Sequence, residues 1–291
     1  MTQQEDSGLH TVPVMALITD FGLTDIYVGV MKGVILSISP DTRLIDLTHE
    51  IQPQNVRQGA FALYSAYAYM PTKTVFLGVV DPGVGSARKP IAIETNHGVF
   101  VGPDNGLFTY VLKHVKVRRA VVLQNQKYLR RQISSTFHGR DIFSAAAAHI
   151  AAGVPVEALG PALSQPASLP APRFEVRDKV IDGEILYIDH FGNLVTSIGA
   201  LQWGADDMLL VTPFFDPHSI PEMKSIRPEA CAVQFYDRVI EPLCLHYAAV
   251  PPGELLTLIN SAGQVEIAVN QGNAAQYLGA EVGDPVTLRI A

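Results

Sequence analysis

The chain has 291 residues, 48% of them hydrophobic and 17% charged, which supports a sizeable buried core and excludes a disordered polypeptide. Its formal net charge of -7 argues against nucleic acid as a partner, because phosphate contacts need an excess of lysine and arginine. The length suits one large domain or two ordinary ones.

The opening segment MTQQEDSGLHT holds two acids and neither lysine nor arginine, unlike the basic start of a secretory signal. No apolar run approaches the length that spans a bilayer, so a cytoplasmic protein without membrane contact is expected. Val14–Ile18 is a continuous apolar run that stops at Thr19-Asp20-Phe21-Gly22, the pattern of a strand buried on both faces of a parallel sheet. Val28–Ile38 and Val56–Tyr69 read as helices. Thr74–Val80 is a second apolar strand, ending at Asp81-Pro82-Gly83-Val84-Gly85. Strands are also predicted over Ile91–Glu94 and Val99–Val101, before the turn Gly102-Pro103-Asp104-Asn105-Gly106. Asp141–Ala152 reads as an alanine-rich helix closed by Gly153. Strand, helix, strand in this order predicts a three-layer α/β domain with a mostly parallel sheet over residues 12–165.

Four prolines between Pro161 and Pro172 predict a linker, since repeated proline prevents both helix and central strand. Beyond it come short apolar runs broken by Gly and Pro: Val180–Ile188, Leu194–Ile198, Leu255–Ile259, Val265–Val269 and Val286–Ile290. They predict a small β-barrel or sandwich over residues 173–291. The two cysteines, Cys231 and Cys244, fit neither a disulfide framework nor a zinc spacing, and read as small buried hydrophobes in a reducing compartment.

Asp20 and Asp81 each end a buried strand, at the sheet edge where parallel α/β proteins bind ligands. Each either caps its own turn or holds a ribose hydroxyl or a nucleophile. The Gly spacing after Asp81 matches neither the P-loop nor the dinucleotide fingerprint. Its glycines permit a tight loop that either returns Arg88 to Asp81 or leaves it solvated. His138 precedes a helix N-terminus, whose positive end favours a neutral imidazole. Asp189-His190-Phe191-Gly192-Asn193 is either an Asx-type turn or a ligand loop offering an acid, an aromatic face and an amide. His49-Glu50, His138 with Asp141, and Asp189-His190 are the candidate metal ligands, but none has a strong metal spacing, so no metal is expected.

Six segments occur in one order: Thr19-Asp20-Phe21-Gly22, Asp81-Pro82-Gly83-Val84-Gly85, Gly102-Pro103-Asp104-Asn105-Gly106, Phe137-His138-Gly139-Arg140-Asp141, Asp189-His190-Phe191-Gly192-Asn193 and Ile259-Asn260-Ser261. In this the chain resembles the S-adenosylmethionine hydroxide adenosyltransferases, relatives of the fluorinase and chlorinase, from about Ala16 to the C-terminus. The resemblance implies an α/β domain joined to a β-barrel, and a homotrimer whose sites lie at subunit interfaces. It implies hydrolysis of S-adenosyl-L-methionine to adenosine and methionine, with no cofactor or metal. By motif match it places the catalytic set on Asp81, Arg88 and His138, with either Asp81 or His138 as the base. Ribose binding falls on Asp20, and contacts to the amino-acid end and adenine fall on Asp189, Phe191, Asn193 and Ser261.

Departures from the halogenating branch also matter. The fluorinase has Tyr in place of Asp81, Ser in place of Gly139 and Trp in place of Gln54, and carries an insertion after the strand ending near Ile93 that is missing here. A carboxylate at position 81 opposes a halide ion and favours an oriented water. The alternatives are a halide-using relative, against which Asp81 and the missing insertion speak, and a non-catalytic S-adenosylmethionine binder, which would need no Asp81, Arg88 and His138 set. A metal-dependent hydrolase is the third.

Overall fold

The structure, a computed structural model, describes residues 12–203, 208–216 and 225–290. The chain divides into two compact units, the first ending at Leu169 and the second beginning at Pro170.

The first unit runs β1 (Val14–Thr19), α1 (Tyr27–Ile38), β2 (Arg43–Thr48), α2 (Val56–Tyr67), β3 (Thr74–Val79), β4 (Pro90–Thr95), β5 (Gly98–Pro103), α3 (Thr109–Leu112), β6 (Val117–Val122) and α4 (Ser144–Ala151). Its sheet has the order β2-β1-β3-β5-β4-β6. The first four strands are parallel, and β4 runs antiparallel to both its neighbours. The apolar runs are continuous because successive side chains face opposite layers. Met15, Leu17, Val75 and Leu77 pack with Met31 and Ile35 of α1 and with the alanines of α4. Ala16, Ile18 and Phe76 pack on the other face with Leu63 of α2 and Val111 of α3. Helices on both faces make this the three-layer α/β unit expected.

Sequence patterning misses β2 and β6, the two edge strands. Their sequences RLIDLT and VRRAVV carry charges that face solvent at a sheet edge, which breaks the apolar run. The proline-rich stretch forms no helix and only an isolated bridge between Ala162 and Val121. It is nonetheless tied to the first unit: Leu163 N–H donates to Ala120 O and Ala167 N–H donates to Asp104 Oδ1.

The second unit contains β7 (Glu175–Arg177), β8 (Val180–Ile188), β9 (Leu194–Thr196), β10 (Leu201–Trp203), β11 (Leu209–Val211), β12 (Ser225–Ile226), β13 (Cys231–Phe235), β14 (Arg238–Ile240), β15 (Leu243–Cys244), β16 (Leu255–Ile259), β17 (Val265–Val269), α5 (Ala274–Leu278) and β18 (Pro285–Ile290). Its main sheet follows β14-β13-β18-β8-β9-β17-β16-β15, with β7 paired to β8, and β10, β11 and β12 form a second small sheet. The strands curl around one core that includes Ile185, Leu194, Val233, Ile267 and Leu288. Among the described residues β14 and β15 do not pair, so the expected barrel is an open, curled half-barrel. Cys231 is buried in that core, and both cysteines are free. No helix among the described residues is long and apolar enough to cross a membrane.

Phe76 is fully buried and stacks on Phe100 at 4.7 Å between ring centroids. Phe76→Ala should therefore destabilise the first unit by about 3–5 kcal/mol. A denaturation midpoint unchanged from wild type would show that this layer is not the core described.

Candidate active site

In the β1–β3 ladder Thr19 pairs with Val79, so the residues that follow these strands emerge side by side at one sheet edge. They are Asp20 and, after Val80, Asp81. A third segment reaches the same edge through a π-helical turn, Gly139–Phe143, that leads into α4. His138 stands at the start of that turn. Together these elements line a cavity of about 310 Å³ that includes Asp20, Tyr27, Gln54, Asp81, Phe137 and His138.

The loop after β3 does return Arg88 to Asp81. Arg88 Nε donates to Asp81 Oδ1 at 2.9 Å and to Oδ2 at 3.0 Å, and Nη2 also donates to Oδ2. The same Nη2 donates to His138 Nδ1 at 2.8 Å. The Arg88 and Asp81 side chains are 9% and 5% exposed, and the guanidinium lies over the Phe143 ring at 5.1 Å. Gly85 makes the loop possible. It has φ +77, and a Cβ there would meet Ser135 O at 2.6 Å.

Three donors fix the turn that carries His138. Asp141, fully buried, accepts Arg140 Nε at 2.6 Å, Arg140 Nη2 at 2.8 Å and the Ser134 N–H at 2.9 Å. Burial alone would lift the Asp141 carboxyl, but these hydrogen bonds outweigh it and hold the group below its ordinary range. Burial first, and the Arg88 charge second, push the His138 imidazole below the usual histidine range, against the opposing pull of Asp81, Asp141 and a hydrogen bond to the Ser134 backbone. Arginine has no acceptor, so the Nδ1 facing Arg88 must be unprotonated. The neutral ring therefore carries its proton on Nε2.

Asp20 accepts the Gln54 N–H at 2.7 Å through Oδ2. Burial raises its carboxyl above the ordinary range and Asp81 adds to this, while the Gln54 N–H works against it. Three aromatic rings border the cavity. Phe21, Tyr27 and Phe137 pack mutually with centroids 5.2–6.0 Å apart. Sequence reading did not single out this cluster or the Gln54 amide. Aromatic residues scattered over three segments carry no local pattern, and a backbone donor has no residue signature.

In the second unit, Asp189-His190-Phe191-Gly192-Asn193 forms an Asx-type turn. Asp189 Oδ1 accepts the N–H groups of Phe191 and Asn193 at 2.9 and 2.8 Å, and Oδ2 accepts Asn193 Nδ2 at 2.9 Å. Gly192 has φ +86, where a Cβ would collide with the Asn273 amide. The Phe191 ring is 71% exposed, and Asn193 is buried. Ser261 is exposed on the β16–β17 turn, which Asn260 builds by accepting the Ala262 and Gln264 N–H groups. Among the described residues no group of three His, Cys, Asp or Glu side chains is placed to hold a metal ion.

Residues 15–160 match the N-terminal domain of the SAM hydroxide adenosyltransferases, and residues 183–287 match their C-terminal domain. The chain is 40% identical to the (R)-S-adenosyl-L-methionine hydrolase of Salinispora tropica over 276 residues, 94% of this chain and 96% of that one. A fluorinase from Nocardia brasiliensis is 29% identical over 216 residues, 64% of this chain and 71% of its own length. A crystal structure of a conserved protein from Thermotoga maritima superposes with a TM-score of 0.81 at 36% identity, covering 94% of this chain and 99% of that one.

The Arg88 contact predicts a titration. Followed by NMR, the His138 ring should titrate below the ordinary value of about 6.5. Arg88→Met removes a positive neighbour and should move that titration upward; a shift downward, or none, would refute this electrostatic role for Arg88.

Proposed function

The chain belongs to the SAM hydroxide adenosyltransferase family and hydrolyses S-adenosyl-L-methionine; from that premise we propose that Asp81, Arg88 and His138 carry the reaction. The observation behind this reading is that Arg88 hydrogen-bonds both Asp81 and His138, two side chains that line one cavity.

The 5′ carbon of the substrate's ribose is electrophilic because it is bonded to a sulfonium. Water attacks that carbon in line, the carbon–sulfur bond breaks, and its electron pair stays on sulfur as the neutral thioether of methionine. The attacking water must also lose a proton. The neutral His138 ring has Arg88 at Nδ1 and the Ser134 backbone as a further hydrogen-bond partner, so it keeps no free lone pair to take that proton. Asp81 is therefore the base in this reading, and Arg88 fixes its carboxylate and balances charge as hydroxide character develops. The positive charge comes from Arg88, so the reaction proceeds without a metal.

Asp20 holds the ribose hydroxyls. Asp189, Phe191, Asn193 and Ser261 serve the amino-acid end and the adenine, and they act in a trimer whose sites form at subunit interfaces. Apolar side chains near the Asp20 turn support a covered surface there: Leu23 is 66% exposed and Ile26 76%. The substrate has (R) configuration at sulfur, as in the name of the Salinispora enzyme. The compartment is the cytoplasm, which suits two free cysteines.

A halide-using reaction is disfavoured by the Asp81 charge.

Asp81→Ala and His138→Ala should each lower kcat by about 10²–10⁴-fold while changing substrate affinity only a few-fold. Loss of affinity in step with turnover would assign these residues to binding instead. In oxygen-18 water with a chelator, the wild-type protein should yield labelled adenosine and methionine. Activity abolished by the chelator and restored by a divalent ion would overturn the metal-free scheme.

A further inference from the structure

Three contacts join the turn after β1 to the segment after β2. Thr19 Oγ1 and His49 Nδ1 hydrogen-bond at 2.8 Å. Gly22 N–H donates to His49 O at 2.8 Å, and Gln54 N–H donates to Asp20 Oδ2 at 2.7 Å. The segment from His49 to Gln54 thus grips the Asp20 turn on both sides.

Each end of this segment is itself anchored. His49 is 2% exposed and Thr19 0%, so their polar atoms are deep in the domain. Asp46 Oδ1 lies 3.0 Å from His49 Nε2, an electrostatic contact off the hydrogen-bond axis, and Asp46 Oδ2 accepts Lys32 Nζ at 2.6 Å. At the other end Gln54 adopts φ 67, a left-handed backbone that a non-glycine residue holds only under constraint. Asn55 follows it and caps α2 by accepting the Gln58 N–H at 3.0 Å. A buried imidazole among apolar strands is costly unless its partners are fixed. Here the partners lead to the carboxylate at the cavity.

We propose that His49 is a positioning residue for Asp20: through Thr19 and its own carbonyl it fixes the turn, while the Gln54 N–H fixes the carboxylate and leaves Oδ1 for substrate. The proposal rests on Asp20 being a substrate contact. It predicts an effect on substrate affinity, since a carboxylate that wanders loses its paired hydroxyl contacts before the distant water is disturbed.

The test uses the full chain, with KM and kcat for S-adenosyl-L-methionine and a melting temperature for each variant. An Asn amide reaches the position of Nδ1, and a Gln amide reaches that of Nε2. His49→Gln and Thr19→Val should each raise KM about tenfold, with kcat changed less than about threefold. His49→Asn should recover most of the lost affinity, which a general loss of stability would not do. In an Asp20→Ala background His49→Gln should add no further rise, because both act on one contact. Asp20→Ala raising KM while His49→Gln and Thr19→Val leave it unchanged would overturn the clamp alone, as would independent losses that multiply. Asp20→Ala with unchanged KM would instead overturn the reading of Asp20. Should the His49 variants fail to fold, Thr19→Ser, which keeps the hydroxyl, and Thr19→Val, which removes it, decide the matter: equal KM in the two overturns the proposal.

Discussion

A guanidinium taken almost wholly out of water must find acceptors, and Arg88 finds them in the Asp81 carboxylate and the unprotonated nitrogen of His138. This one group ties the loop after β3 to the turn before α4. It also fixes the tautomer of His138, lowers the ring's affinity for a proton and closes two directions of approach to Asp81. A lysine would not substitute, because a point charge lacks the planar fork that meets the carboxylate through two nitrogens and still reaches the imidazole. Breaking such a pair leaves a nearly buried charge unpaired, so the constraint acts on the fold as well as on the chemistry.

The sheet supplies the rest. Parallel strands deliver their carboxyl ends to one edge, and β1 and β3 are neighbours, so two aspartates separated by sixty residues of chain arrive together. Their proximity has an electrostatic cost, seen in the upward push that Asp81 gives the Asp20 carboxyl after burial. The structure answers with separate donors, Arg88 for Asp81 and the Gln54 N–H for Asp20. Each carboxylate keeps its own partner, which is what the proposed division between substrate and water requires.

Much of this was legible in the chain. Val14–Ile18 and Thr74–Val80 announce buried parallel strands because both of their faces are covered, and the aspartates that end them follow directly. The edge strands β2 and β6 were not legible, since charged residues suit an edge and disguise the strand. Nor were most of the short strands between Leu201 and Cys244, which have too few residues each for a period to show. For the site, residue type and order suggested Arg88 and His138, but spacing left open whether Arg88 returned to Asp81. The Gln54 amide and the Thr19–His49 pair lie beyond sequence reading altogether. Their roles come from a backbone angle and a burial depth that no residue type encodes.

Charge placement explains why a site with two carboxylates need not trap its cationic substrate. A negative group beside the sulfonium would stabilise the ground state, and that attraction would be lost as sulfur becomes a neutral thioether, so it would slow the step. Arg88 offsets Asp81, leaving the pair close to neutral from a distance, while Oδ1, which accepts only the Arg88 Nε–H, keeps lone-pair capacity for water close at hand. In the proposed scheme attraction for the cation falls to Asp20, assigned to ribose oxygens that do not change charge in the reaction. The aromatic rings of Phe21, Tyr27 and Phe137 add a polarisable wall suited to either form of sulfur. The proposed scheme thereby gives binding and bond breaking to different groups at one sheet edge, and both groups sit on loops held in place by buried polar contacts.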